Sequence, residues 1–179
     1  MSRLLMLAAL ASVALAGCAA NSDMAADASA PAGAMTPTTR DAYVRMAAAS
    51  DLYEIRSSQL AQTRTQNAAI RDFAGMLIRD HMTTTSQLMA AAQASGMPPM
   101  TPALMPMQQD MLNRLEAASG AAFDREFTTQ QVQAHQMALA LHSHYASSGD
   151  TPALRQVAAT ATPVIQGHLD HVRGMAGGL

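Results

Sequence analysis

Four residues of ligand type fall on four different predicted helices. On a helix of 3.6 residues per turn, His81 lies in the middle of an otherwise mainly apolar stripe. His135 and His168 take similar positions on two later segments, and Glu54 lies at the edge of the stripe on the first segment. Inward-facing histidines and carboxylates, one from each helix, are how helical bundles build metal sites. The sequence therefore predicts a candidate metal site of Glu54, His81, His135 and His168, with zinc as the first choice and iron or copper next.

A second interpretation of the same residues needs no metal. A buried neutral histidine can satisfy one nitrogen with a carboxylate and the other with a carbonyl or water, as Glu54 and His81 would do together. At a rise of 1.5 Å per residue, the four side chains spread over roughly 9 Å along the bundle, which is the outer limit for one mononuclear site. That spread is similar whether the bundle is simply up-down-up-down or has a long connection that crosses it. A metal site and a buried polar network that fixes helix register both stay open.

Methionines suggest a third kind of chemistry. The chain has 15 methionines, and Met97, Met100, Met105 and Met107 crowd a proline-rich connection. Thioethers are soft ligands that suit Cu(I), so these four are possible copper ligands. Methionine also fills irregular gaps in cores that contain few aromatic residues, which is the alternative.

The elements that would position these residues are four long helices and one short one. Apolar periodicity and end signals predict long helices over 40–64, 67–95, 120–147 and 152–175, with a short helix over 108–118 in the connection between the second and third. Thr39 and either Asp150 or Thr151 are the expected N-caps of the first and last helices, and the second helix is expected to begin near Asn67. The first helix shows its clearest apolar stripe at Val44, Ala48, Leu52 and Ile55. The predicted fold is an all-α four-helix bundle.

Composition excludes several classes of function. All 11 basic residues are arginine, which rules out Schiff-base chemistry through a lysine. The formal net charge is −2, without a basic run, so nucleic acid is not an expected partner. No nucleophile elbow or phosphate loop occurs, and the Glu-x-x-His pattern of di-iron bundles is missing, so we expect no enzyme activity.

The N-terminus resembles that of a bacterial lipoprotein. One arginine precedes an apolar run that is too short to span a bilayer, and the run ends in Leu15-Ala16-Gly17-Cys18, which resembles a lipobox. The expectations are a signal peptide over 1–17, a lipidated Cys18 with a flexible tether over 18–39, and a bundle domain over 40–176. Ala19 after the cysteine implies sorting to the outer membrane, on its periplasmic face. The alternative is an ordinary secretory peptide that is cut elsewhere.

Several segments are similar to a known bacterial family, among them "YVRMAAASDLYEIRSSQLA", "IRDFAGMLIRDHMTTTSQL" and "PVIQGHLDHVRGM". The family comprises secreted, ferritin-like helical domains of unknown function, commonly labelled predicted outer-membrane protein, and the similarity covers about residues 40–175. It implies a ferritin-like bundle. Positions that match the family pattern are Glu54, Asp80, His81, Phe123, Asp124, His135 and His168.

No activity follows from that resemblance. The sequence favours a lipid-anchored periplasmic bundle that acts as a binding or envelope-maintenance module, attached to the membrane by its lipid and with an unknown protein partner. The alternative is a metal-binding bundle that uses the inward Glu and His residues.

Overall fold

The computed structural model describes residues 36–176, whose regular structure is entirely helical. The helices are α1 (Arg40–Arg64), α2 (Ala68–Ala94), α3 (Pro106–Ala117), α4 (Gly120–Ser148) and α5 (Pro152–Ala176). The predicted all-helical bundle, with a short helix in its long connection, is confirmed. Within the described residues, none of the helices combines the length and apolarity needed to cross a bilayer. The expectations for 1–17 and for most of 18–39 lie outside the described residues.

The helix ends show which polar side chains act as caps. The Asn67 carboxamide accepts hydrogen bonds from the backbone N–H groups of Ala69 and Ile70, at 2.9 and 3.4 Å, and so caps α2. Thr39 makes no such side-chain bond at the start of α1. The backbone N–H of Arg40 instead donates to the Asp150 carboxylate at 3.1 Å. The turn before α5 therefore caps α1 from the other end of the chain.

Two apolar clusters at opposite ends of the bundle establish its topology. The first, which we call the Tyr43 cluster, joins early α1, late α2, late α4 and early α5, with members that include Tyr43, Leu88, Tyr145 and Leu154. The second, the Phe123 cluster, joins late α1, early α2, early α4 and late α5, with members that include Ala61, Ile70, Phe123 and Leu169. The C-terminal ends of α2 and α4 thus lie at the same end of the bundle. The connection that carries α3 must travel the length of the bundle, which settles the choice between the two topologies.

The buried face of α1 differs from the predicted stripe. Leu52 and Ile55 are only partly buried. The face turned inward carries four buried polar residues: Asp51, Glu54, Ser57 and Ser58. An apolar pattern cannot locate a face whose middle is polar, so the predicted stripe was wrong over this half of the helix. These polar residues place α1 beside the histidines of the other three long helices.

Candidate metal centre

Three imidazoles meet in the middle of the bundle, between the two apolar clusters. His81 on α2, His135 on α4 and His168 on α5 have ring centroids 5.5 to 5.8 Å apart. One ring nitrogen from each histidine lies within 4.8 Å of those of the other two. The three residues are at most 5% exposed. The structure thus brings together three of the four predicted ligands, each from a different helix.

An acidic side chain orients His81. The Nδ1–H of His81 donates to Oδ1 of Asp51 at 2.8 Å, and both side chains are buried. The Thr85 hydroxyl donates to the other carboxylate oxygen at 2.9 Å, which holds Asp51 in place. A carboxylate can only accept, so the proton of neutral His81 is on Nδ1 and the lone pair is on Nε2.

The other two rings are oriented in the same manner. The Nε2–H of His168 donates to Oδ2 of Asp80 at 2.9 Å, and the Nδ1–H of His135 donates to the backbone carbonyl of Gln131 at 2.8 Å. Lone pairs are therefore left on Nδ1 of His168 and Nε2 of His135. A carboxylate or carbonyl behind each ring is the arrangement commonly found behind metal-binding histidines.

The three remaining ring nitrogens have no partner in the described part of the chain. Nε2 of His81, Nε2 of His135 and Nδ1 of His168 are buried and form no hydrogen bond with any described residue. All three are acceptors, so they cannot satisfy one another. A cation bound between them would satisfy all three nitrogens. Imidazole ligands of a tetrahedral zinc ion, at about 2.0 to 2.1 Å from the metal, lie about 3.4 Å from each other, so small side-chain movements would complete the fit.

Burial keeps two of the three rings neutral. Desolvation, with the charge of His81 nearby, lowers the pKa of His135 to about 3. Desolvation also lowers the pKa of His168, although Asp80 opposes it. Burial acts on His81 in the same direction, but the Asp51 carboxylate outweighs it and the pKa of His81 is raised. Neutral imidazole is the form that binds metal, and the centre supplies it at His135 and His168.

Glu54 lies beside this centre and outside its ligand group. Its carboxylate is 3.7 Å from Nδ1 of His135, which is the edge of the ring already bonded to Gln131 and not the free Nε2. Glu54 is 1% exposed, and burial raises its pKa to about 7 against the opposing effect of His81. The proposed ligand role of Glu54 stays a prediction.

Asp51 is the functional residue that the sequence reasoning missed. It lies one turn before Glu54 on the same inward face, and it is 3% exposed. The same periodicity that selected Glu54 would have selected Asp51, because residues three apart on a helix are neighbours. Our assignment of the stripe to apolar residues hid it.

The four predicted thioether ligands do not form one group. Met97 is 8% exposed and packs in the Tyr43 cluster, with Met100 against the same cluster. Met105 and Met107 are 38% and 39% exposed and line a groove beside this cluster, and Met105 shares a second surface pocket with Met100. The structure thus separates Met97 from Met105 and Met107, because the proline-rich segment buries its first methionine and leaves the later two at the surface.

Comparison with known proteins places the chain in a family. Residues 24–175 match the model of DUF4142, described as a domain of unknown function, and the chain belongs to this family. This confirms the expected membership of an uncharacterised family. No curated protein matches the sequence.

Two solved structures are similar in fold. They are "CopM in the Ag-bound form (by co-crystallization)" and "CopM in the Cu(II)-bound form". Both have a TM-score of 0.66 and 18% sequence identity, and the match covers 78% of this chain and 96% and 97% of the respective CopM chains. At this identity the likeness concerns the helical fold.

Proposed function

We propose that the chain is a metal-binding bundle protein that holds a divalent transition metal ion at His81, His135 and His168. The observation that carries this proposal is that three buried imidazoles from three helices meet, and that each keeps one ring nitrogen without a described partner while the other is hydrogen-bonded. A purely structural polar network accounts for the bonds to Asp51 and Asp80. It does not use the second nitrogen of each ring, which has no partner among the described residues.

Copper(II) is the ion that we expect to bind most tightly. Imidazole suits both copper and zinc, and affinity for divalent ions at nitrogen sites peaks at copper in the first-row series. The similar fold of a protein crystallised with Cu(II) supports the same choice. The three ligands are buried, and burial favours the neutral form of His135 and His168, so the role that we propose is retention of the ion. Absence of enzyme activity stays a prediction.

The test is a competition titration of the full-length chain with Cu(II) and with Zn(II). His168→Gln should lower the affinity more than 100-fold, because a second-sphere partner alone is worth 10- to 100-fold. The matched control is His171→Gln, one turn further along α5 at an exposed position, which should bind like the parent. Circular dichroism shows whether each variant is folded. Equal affinity in both variants, with both folded, would refute the metal site.

We also propose that the protein acts in the cell envelope, anchored by lipid at Cys18 on the periplasmic face of the outer membrane. The lipobox-like Leu15–Cys18 segment supports this. Cys18→Ser should move the protein from the membrane to the soluble fraction, and an unchanged membrane fraction would contradict the anchor. We further propose that the bundle is ferritin-like, which its crossing connection supports.

A further inference from the structure

A groove on the outside of the bundle is lined largely by methionine. It lies where α1, α3 and α4 meet, and 5 of its 11 lining residues are methionines that come from these helices and from the start of α3. They are Met46, Met105, Met107, Met111 and Met137. Only two of the four methionines expected from the sequence are among them. Met111 follows one turn after Met107 in α3, and helix packing adds Met46 and Met137 from distant parts of the chain.

The groove offers thioether sulfur and little else to a ligand. Its lining contains no carboxylate, imidazole, thiol or cationic group. Two of its polar side chains are already engaged, since the Tyr53 hydroxyl donates to Gln130 at 2.6 Å and the Gln108 carbonyl oxygen accepts from the backbone of Met105 at 2.9 Å. Hard divalent ions prefer oxygen ligands and would find few here. Soft monovalent ions prefer sulfur.

The size of the groove decides between an ion and an organic ligand. Its cavity volume is about 30 Å³, which is room for about one water-sized occupant. Pockets for organic ligands measure roughly 300 to 1,000 Å³. An ion fits this space and a small organic molecule does not.

Exposure argues against packing as the sole role of these methionines. Met111 is 1% exposed and forms part of the buried floor of the groove, whereas Met105 and Met107 are 38% and 39% exposed at its rim. Packing therefore accounts for less of the surface of Met105 and Met107 than of Met111. The rim methionines leave the sulfur-lined space accessible from outside.

We propose that this groove is a second metal site, specific for a soft monovalent cation such as Cu(I) or Ag(I). It shares no residue with the three-histidine centre. The two sites are therefore independent and differ in ligand chemistry, with sulfur at the surface and nitrogen in the core.

The test uses Ag(I), which is stable in air, added to the full-length chain carrying Cys18→Ser so that its single thiol does not bind the ion. The groove variant is Met105→Leu/Met107→Leu/Met137→Leu, in which leucine keeps volume and removes sulfur. The matched control is Met76→Leu/Met82→Leu/Met89→Leu, which removes three thioethers outside the groove. We expect the tightest Ag(I) equivalent to weaken at least tenfold in the groove variant only. Equal binding in the two variants would overturn the proposal.

Three further measurements keep the test decisive. Met105→Leu alone changes one exposed side chain, so it should leave the fold intact and still weaken Ag(I) binding. X-ray absorption at the silver edge should show sulfur ligands, and a spectrum with nitrogen ligands only would overturn the proposal. The Ag(I) affinity should persist in His168→Gln. If it is lost there, the ion binds at the histidine centre and the groove is not a separate site.

Discussion

At the scale of single residues, the decisive feature is which ring nitrogen of each histidine carries the proton. Asp51, the Gln131 carbonyl and Asp80 each accept one N–H. The second nitrogen of each ring is buried without a partner among the described residues, and the three rings lie together in one small volume. Three buried acceptors without a donor are costly to leave unpaired, at about 1 to 3 kcal/mol each. Binding of a cation would recover that cost.

Asp51 is predicted to tune the metal affinity without touching the ion. Asp51→Asn keeps an oxygen for the His81 N–H but removes the negative charge, so the ring becomes a weaker ligand. We expect a 10- to 100-fold loss of Cu(II) affinity, measured by competition titration. Asp72→Asn, at an exposed position of α2, is the control and should bind as the parent does. An unchanged affinity for Asp51→Asn would show that this carboxylate does not support the ligand.

The sequence was sufficient to find the three histidines but not the groups behind them. A histidine inside an apolar stripe is conspicuous, as His81 is between Leu77 and Leu88. The Gln131 carbonyl belongs to the backbone and has no sequence signal. Asp51 can be recognised as an inward-facing residue only once it is known which face of α1 packs against the other helices. That orientation depends on contacts between the helices.

At the scale of helices, capping explains why the boundaries could be predicted closely. The Asn67 side chain satisfies two backbone N–H groups at the start of α2, which is a local interaction that sequence reveals. The cap of α1 is Asp150, 110 residues away. A contact of that kind follows from topology, so the sequence, which offered Asp150 or Thr151 as the cap of α5, did not indicate that Asp150 caps α1.

The two caps are predicted to differ in their contribution to stability. Asn67→Ala should lower the free energy of unfolding by about 1 kcal/mol, because it leaves the N–H groups of Ala69 and Ile70 without their acceptor. Thr39→Ala should cost markedly less, since the Thr39 side chain makes no capping bond. Denaturant unfolding of the metal-free chain measures both. Equal losses would contradict the capping assignment.

At the scale of the whole molecule, buried neutral histidines link folding to pH. His142 on α4 is 2% exposed, and its Nδ1 lies 3.1 Å from the Tyr43 hydroxyl. Burial lowers the pKa of His142 to about 4, with Asp51 opposing and His81 adding to the effect. Burial raises the pKa of Tyr43, so this hydroxyl keeps its proton and donates it to the neutral ring.

The sign of the pH dependence follows from these values. Between about pH 6.5 and 4, the unfolded chain binds a proton at position 142 that the folded chain does not, so stability falls as the pH falls. We expect a loss of about 3 kcal/mol from His142 across this window, measured by denaturant unfolding with a chelator present. His142→Gln should flatten the profile, with His144→Gln as the control for loss of an imidazole from α4. An unaltered slope in His142→Gln would contradict the assignment.

The crossing connection is also a property of the whole molecule. It makes α2 and α4 run in the same direction, and the histidines of α2, α4 and α5 meet between the two end clusters. Approximate helix boundaries allowed a spread of roughly 9 Å along the axis for the candidate ligands. Packing brings the three histidine rings within 5.8 Å of one another, a precision that spacing alone does not provide.

The measurement that tests the central claim most directly is a crystal structure of the full-length chain grown with one equivalent of Cu(II), with anomalous data at the copper edge. We predict one strong anomalous peak within bonding distance of Nε2 of His81, Nε2 of His135 and Nδ1 of His168. A fully loaded crystal whose copper lies elsewhere, with those three nitrogens uncoordinated, would contradict the account.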